Sequence, residues 1–134
     1  MKKFTIVLAL VVAFSAIFVA SAAFAADGVV DSNIVLANFP KFQRAQQQLA
    51  QLAQAKQAEI NAEKNRDKQQ QLAQQAQQQL AAEQQKLFAP LFKEARDAAI
   101  KVAKAKKLNM VHEQASVIYG GVDITKDVVA ELTK

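Results

Sequence analysis

The chain has 134 residues, with 17 basic and 12 acidic side chains for a formal charge of +5, one His, and neither Cys nor Trp. That excludes a disulfide scaffold and leaves room for one domain of ordinary size. The basic excess is modest, so no nucleic-acid partner is expected.

Residues 1–25 read as an export signal. Lys2 and Lys3 form a positive start, Phe4 to Val19 is an apolar run too short for a comfortable membrane span, and Ala23-Phe24-Ala25 places small residues at a cleavage site. A lipoprotein would need a cysteine after that run, and there is none. The expectation is therefore a periplasmic protein whose signal peptide is removed. Residues 26–134 then carry 15 − 12 = +3, with 27 Leu, Ile, Val or Phe against 20 Ala. That is little bulky side chain for a self-sufficient core.

The next elements are a short β-branched run at Gly28 to Asp31 and a brief helix through Ile34, Val35 and Leu36, capped by Asp31 or Ser32 and stopped at Phe39-Pro40. Lys41 to Ala89 then contains no Gly or Pro, and Gln43 to Gln85 holds 17 Gln and 10 Ala. Both are good helix formers. Phe42, Ala45, Leu49, Leu52 and Lys56 recur at steps of 3 and 4, as do Ala76, Leu80, Glu83, Leu87 and Leu91. These spacings predict two poorly filled coiled-coil seams. Between them, 61–71 lacks any bulky apolar residue and carries two Asn, so the chain is expected to reverse near Asn65 into an antiparallel hairpin. Pro90 is expected to kink the returning helix, which continues through Ala95, Ala98 and Val102.

Further on, Leu108 to Glu113 alternates and Val117 to Tyr119 forms a second short run, which together predict two adjacent strands. Gly120-Gly121 would close the second of these. A last helix follows, with Thr125 as N-cap and Val128, Val129 and Leu132 as its buried stripe. The fold class expected is α+β, mostly α: a long helical arm (41–107, tip 61–71) projecting from a small β body (26–40 and 108–134). Three strands are not stable alone and an exposed apolar edge must be covered, so self-association is expected to complete the body; the seams leave dimer and trimer both open. Val29, Val30, Val111, Val117, Ile118 and Tyr119 are the candidate oligomer contacts.

Several of these segments together resemble the Skp/OmpH family of periplasmic chaperones. The likeness lies in Val29-Val30-Asp31, the Gln- and Lys-rich helices, Leu87 to Phe92, Ala98 to Ala103, and above all the ending Val117-Ile118-Tyr119-Gly120-Gly121-Val122-Asp123-Ile124-Thr125. The resemblance implies a homotrimer whose arms surround a cavity, an ATP-independent holdase that keeps unfolded outer-membrane proteins from aggregating in transit. This chain departs from better-known members in its shorter arms and in seams richer in Gln and Ala than in Leu.

The residues expected to touch clients are Phe42, Leu49, Leu52, Leu80, Phe88 and Phe92, although the phenylalanines equally suit a packed junction at the hairpin base. Lys64, Arg66 and Lys68 form a basic tip able to attract anionic lipid or lipopolysaccharide, with Glu63 and Asp67 leaving a net of only +1 there. Catalysis has little material. His112 is the only histidine, residues 26–134 hold serine only at 32 and 116, and the acids are scattered, so no enzyme, cofactor or metal site is expected. From a different class, a secreted coiled-coil spacer or adaptor of the cell envelope fits the same composition.

Overall fold

A computed structural model describes residues 26–134; the expected export signal, 1–25, lies outside the described residues. The chain is mostly helical with a small sheet. In order it forms β1 (Gly28–Val30), α1 (Ser32–Ala37), α2 (Pro40–Ala62), α3 (Arg66–Ala105), β2 (Val111–Glu113), a 3-10 turn at Gln114–Ser116, β3 (Val122–Asp123) and α4 (Thr125–Leu132).

Helix α2 starts with Pro at its first position, where a missing N–H costs nothing. It leaves the helical conformation at Glu63, and the Asn65 side chain opens α3 by accepting from the N–H groups of Asp67 (3.0 Å) and Lys68 (3.3 Å). The reversal is thus only three residues long. Beyond it the helices lie side by side and antiparallel. Gln69 Nε2 reaches the Ile60 carbonyl at one end (3.0 Å), and at the other Lys41 pairs with Glu94 (2.7 Å). Ala45 and Ala76 are the buried residues of the seam, with Leu49, Leu52, Leu72 and Leu80 half-buried around them. Helix α3 runs unbroken through Pro90, whose missing donor falls on the exposed side where water can serve the orphaned carbonyl.

The sheet is parallel throughout, in the order β2-β1-β3, with Val29 opposite His112 on one side and Asp123 on the other. Two sequence expectations fail here. Val117 to Tyr119 is not a strand: β1 has two edges, β2 and β3 fill both, and no partner remains for 117–119. Nor are the last two strands neighbours, because β1 separates them. The Leu108 to Glu113 strand also begins late, at Val111. Leu108 instead closes a Schellman motif at the end of α3, its N–H reaching the Ala103 carbonyl (2.9 Å) while that of Lys107 (φ 56°) reaches Lys104 (3.1 Å).

Thr125 is likewise not the N-cap of α4. Ile124 holds that position, and the Asp123 carboxylate accepts from the Thr125 N–H (2.9 Å), while the Thr125 hydroxyl accepts from the Asp31 N–H (3.0 Å). The carboxylate of Asp31 caps α1, accepting from Asn33 (3.0 Å) and Ile34 (3.1 Å). Asp31 therefore ties the first helix to the last. Beneath it Val35, Ala98, Val102, Ile124 and Val128 form the core, with Val30, Ala95, Ala99, Leu108, Val111, Val129 and Leu132 against it. The last three turns of α3 are part of this body.

Gly120 and Gly121 both have positive φ (87° and 92°), but they differ in surroundings: a Cβ on Gly121 would collide with the Val29 side chain, whereas Gly120 has open space. Gly120→Ala should cost about 1–2 kcal/mol for its backbone conformation alone. Gly121→Ala should cost clearly more, since β1 would also have to shift. Urea unfolding followed by circular dichroism measures both, and equal losses would contradict the close approach to Val29.

Candidate client and assembly surfaces

The four aromatic side chains of the helix base split into two environments. Phe39 is fully buried at the joint between α1 and α2. Phe42, Phe88 and Phe92 form a triangle, with ring centroids 5.0, 5.8 and 6.3 Å apart in tilted arrangements. Tilted aromatic pairs at these spacings attract one another beyond the area they bury. The triangle closes the wide end of the helical pair, yet Phe92 remains 47% exposed. Leu49, Leu52 and Leu80 lie in the α2–α3 seam, half-buried, and Phe42 and Phe88 are half-buried too. Among the large apolar side chains expected to meet clients, only Phe92 is openly offered.

The basic residues fall at the far end. Lys64 lies in the reversal, and Arg66 and Lys68 begin α3; all three are exposed, and none forms an ion pair among the described residues. Asp67 in the same turn complements the positive end of the helix, which the two cations do not.

The candidate oligomer residues also divide. Val29 is buried inside the body, Val30 and Val111 pack on the core, and Val117 is half-buried. Ile118 and Tyr119 are fully exposed. Sequence reading missed a further surface: an apolar groove of about 680 Å³ between α1, α3 and β2, floored by Val35, Ala99 and Val111 and rimmed by Phe92, Arg96, Ile100 and Met110. Its signal was present. Phe92, Arg96, Ala99, Ile100 and Ala103 repeat at helical spacing on a face adjoining the core stripe Ala95, Ala98 and Val102.

Electrostatic ties hold α4 in place. Glu131 bonds Lys101 and Lys134, and Lys106 pairs with Asp127 (3.2 Å). Hydrogen bonds from Lys101 and then Lys134 hold the Glu131 carboxyl below its ordinary range. The Thr125 hydroxyl, then its backbone N–H, does the same for Asp123. His112 Nε2 lies 3.3 Å from Asp27, tying β2 to the residue before β1. No group of His, Cys, Asp or Glu among the described residues is arranged to hold a metal ion, and no described helix is long and apolar enough to cross a membrane.

The sequence model described as "Outer membrane protein (OmpH-like)" matches residues 62–132, from the end of α2 through α4. The chain belongs to the OmpH-like family. This is a family of periplasmic, non-enzymatic chaperones. The match covers the two Phe-bearing turns of α3, the α3 and β2 sides of the groove, both outer strands and the exposed Ile118-Tyr119 loop. No curated protein matches the chain.

A carboxyl depressed by native contacts stabilises the fold fully above its ordinary value and loses that contribution as pH falls through the lower, native value. For Asp123 the ordinary value is 3.8. The urea midpoint should therefore fall on acidification below about pH 4. Asp123→Asn keeps an acceptor for the Thr125 N–H but does not titrate, so its midpoint should fall less steeply. Identical slopes for the two proteins would show that Asp123 is not held by Thr125.

Proposed function

We propose that the protein is an ATP-independent periplasmic holdase, which binds unfolded outer-membrane proteins and keeps them from aggregating before their assembly. Residues 1–25 direct export and are removed. Residues 41–107 act as an arm whose last three turns are packed into the oligomerisation body of 26–40 and 108–134, and three chains surround the client. One observation carries the reading. In an OmpH-like chain, the large exposed apolar side chains among the described residues, Ile34, Phe92, Ile100, Met110, Ile118, Tyr119 and Val122, all lie in the body or at the base of the helical pair, and the long helices beyond them expose Gln, Ala and Lys.

Such a surface suits a holdase. Phe92 offers direct apolar contact, while Phe42, Leu49, Leu52, Leu80 and Phe88 present half-buried rims, so each contact is weak and an unfolded chain is held by many of them. Weak, repeated contacts permit release without an energy source. The basic tip at Lys64, Arg66 and Lys68 adds long-range attraction to acidic clients, anionic lipid or lipopolysaccharide, and weakens with salt.

The test dilutes a urea-unfolded outer-membrane barrel into the chain purified from the periplasmic fraction, without nucleotide, and follows turbidity and the mass of soluble species. Suppressed aggregation and a discrete complex are expected. Undiminished aggregation across a clear molar excess would overturn the reading in favour of a coiled-coil spacer that binds one folded partner.

A further inference from the structure

Residues 26–29 are bound into the sheet with no slack. The Ala26 carbonyl accepts from the Asn109 N–H (3.0 Å), that of Asp27 from the Val122 N–H (2.9 Å) and that of Val29 from the Ile124 N–H (2.9 Å), while the Gly28 N–H donates to the Met110 carbonyl (2.6 Å). The Asp27 carboxylate also meets His112 Nε2 (3.3 Å). Gly28 and Val29 are buried, and β1 is the middle strand, so it offers no edge along which another extended segment could pair. These ties start at the residue that directly follows the expected cleavage site, Ala23-Phe24-Ala25.

A protease takes its substrate as an extended segment and supplies new hydrogen-bond partners to the backbone on both sides of the bond it cuts. Residues 26–29 cannot accept such partners while Asn109, Met110, Val122 and Ile124 hold them. Freeing them means withdrawing the strand that joins β2 to β3 and, through Asp31, α1 to α4, which amounts to opening the body. We propose that signal removal has to precede folding: the bond from Ala25 to Ala26 is cut only while β1 is out of the sheet, and a seated β1 shields it. This rests on the reading of residues 1–25 as a removable export signal and adds the order of events. The cut is a hydrolysis, in which water divides that amide into an Ala25 carboxylate and an Ala26 ammonium group. A chain whose two ends join too early therefore keeps its apolar leader. How firmly it does so depends on residues far from the cut, such as Gly121, which packs against Val29 of the seated strand.

The test uses the full chain, 1–134, purified in urea with residues 1–25 in place, and an excess of purified signal peptidase in detergent micelles. In one arm the unfolded chain is diluted straight into the peptidase. In the other it first refolds, with the seating of β1 read from its amide exchange, and the peptidase is added afterwards. Mass spectrometry follows the product that begins at Ala26. The expected result is rapid cutting in the first arm and cutting about a hundredfold slower or more in the second, because cleavage there waits for the open population. Gly121→Ala should speed the second arm by about tenfold or more and leave the first unchanged, which a residue acting on peptidase recognition would not do. A chain that leaves β1 unprotected until it is cut follows the same order and supports the proposal. Equal rates in the two arms, with β1 protected in the second, would overturn it. No product beginning at Ala26 in either arm would overturn the export-signal reading itself, a separate failure.

Discussion

Everything in this structure hangs on three residues, Gly28 to Val30, paired on both sides with strands more than 80 positions away in the chain. Such contacts are costly to close, since the intervening chain must be ordered first. The cost is offset by converging ties. Asp31 caps α1 with its carboxylate and donates its N–H to Thr125, the first residue of α4; Glu113, at the end of β2, accepts from the Ser32 N–H (3.1 Å). The central strand is thereby clamped to both outer strands, to the first helix and to the last. Gly28 lets the Leu108 side chain pack close against β1, since a Cβ there would come within 2.8 Å of its Cδ1 and push it aside.

Joining the two ends fixes where the long helices go. With Leu36 to Pro40 leaving the body and Ala95 to Ala105 returning to it, α2 and α3 must lie against each other, and packing weakens away from the body. Near it are three phenylalanines and the Lys41–Glu94 pair; farther out the seam relies on Ala45, Ala76 and half-buried leucines. A fully buried Leu contributes about 1.5–3 kcal/mol, and an alanine much less. The outer helices are therefore held by helix propensity more than by burial. For the proposed holdase this is a useful gradient, with a firm base and a surface that can adapt.

Much of this was legible in the amino-acid sequence. The export signal aside, both long helices, the reversal at Asn65, the cap at Asp31, the buried Val128 and the meeting of Phe42 with Phe88 and Phe92 all follow from spacing and capping chemistry. What could not be read was the order of the sheet. Two-residue strands carry no periodicity, so Val117-Ile118-Tyr119, with strong β propensity, outweighed Val122-Asp123, and only the occupancy of both edges of β1 decides between them. The same blindness hid the groove, since its lining comes from α1, α3 and β2 and exists only once the ends have joined. Ile118 and Tyr119 were expected on a strand, and they stand instead in an exposed loop.

On this packing, β1, the last turns of α3 and α4 form one cooperative unit, and the outer α2–α3 pair is a softer extension of it. Native-state hydrogen exchange, residue by residue, tests this directly. Amides of Val30, Val102, Ile124 and Val128 should share the slowest rates, at the free energy of global unfolding, with Gln47 to Gln79 opening at lower free energy. Protection uniform along the long helices, or fast exchange in β1 beside a protected α4, would contradict it.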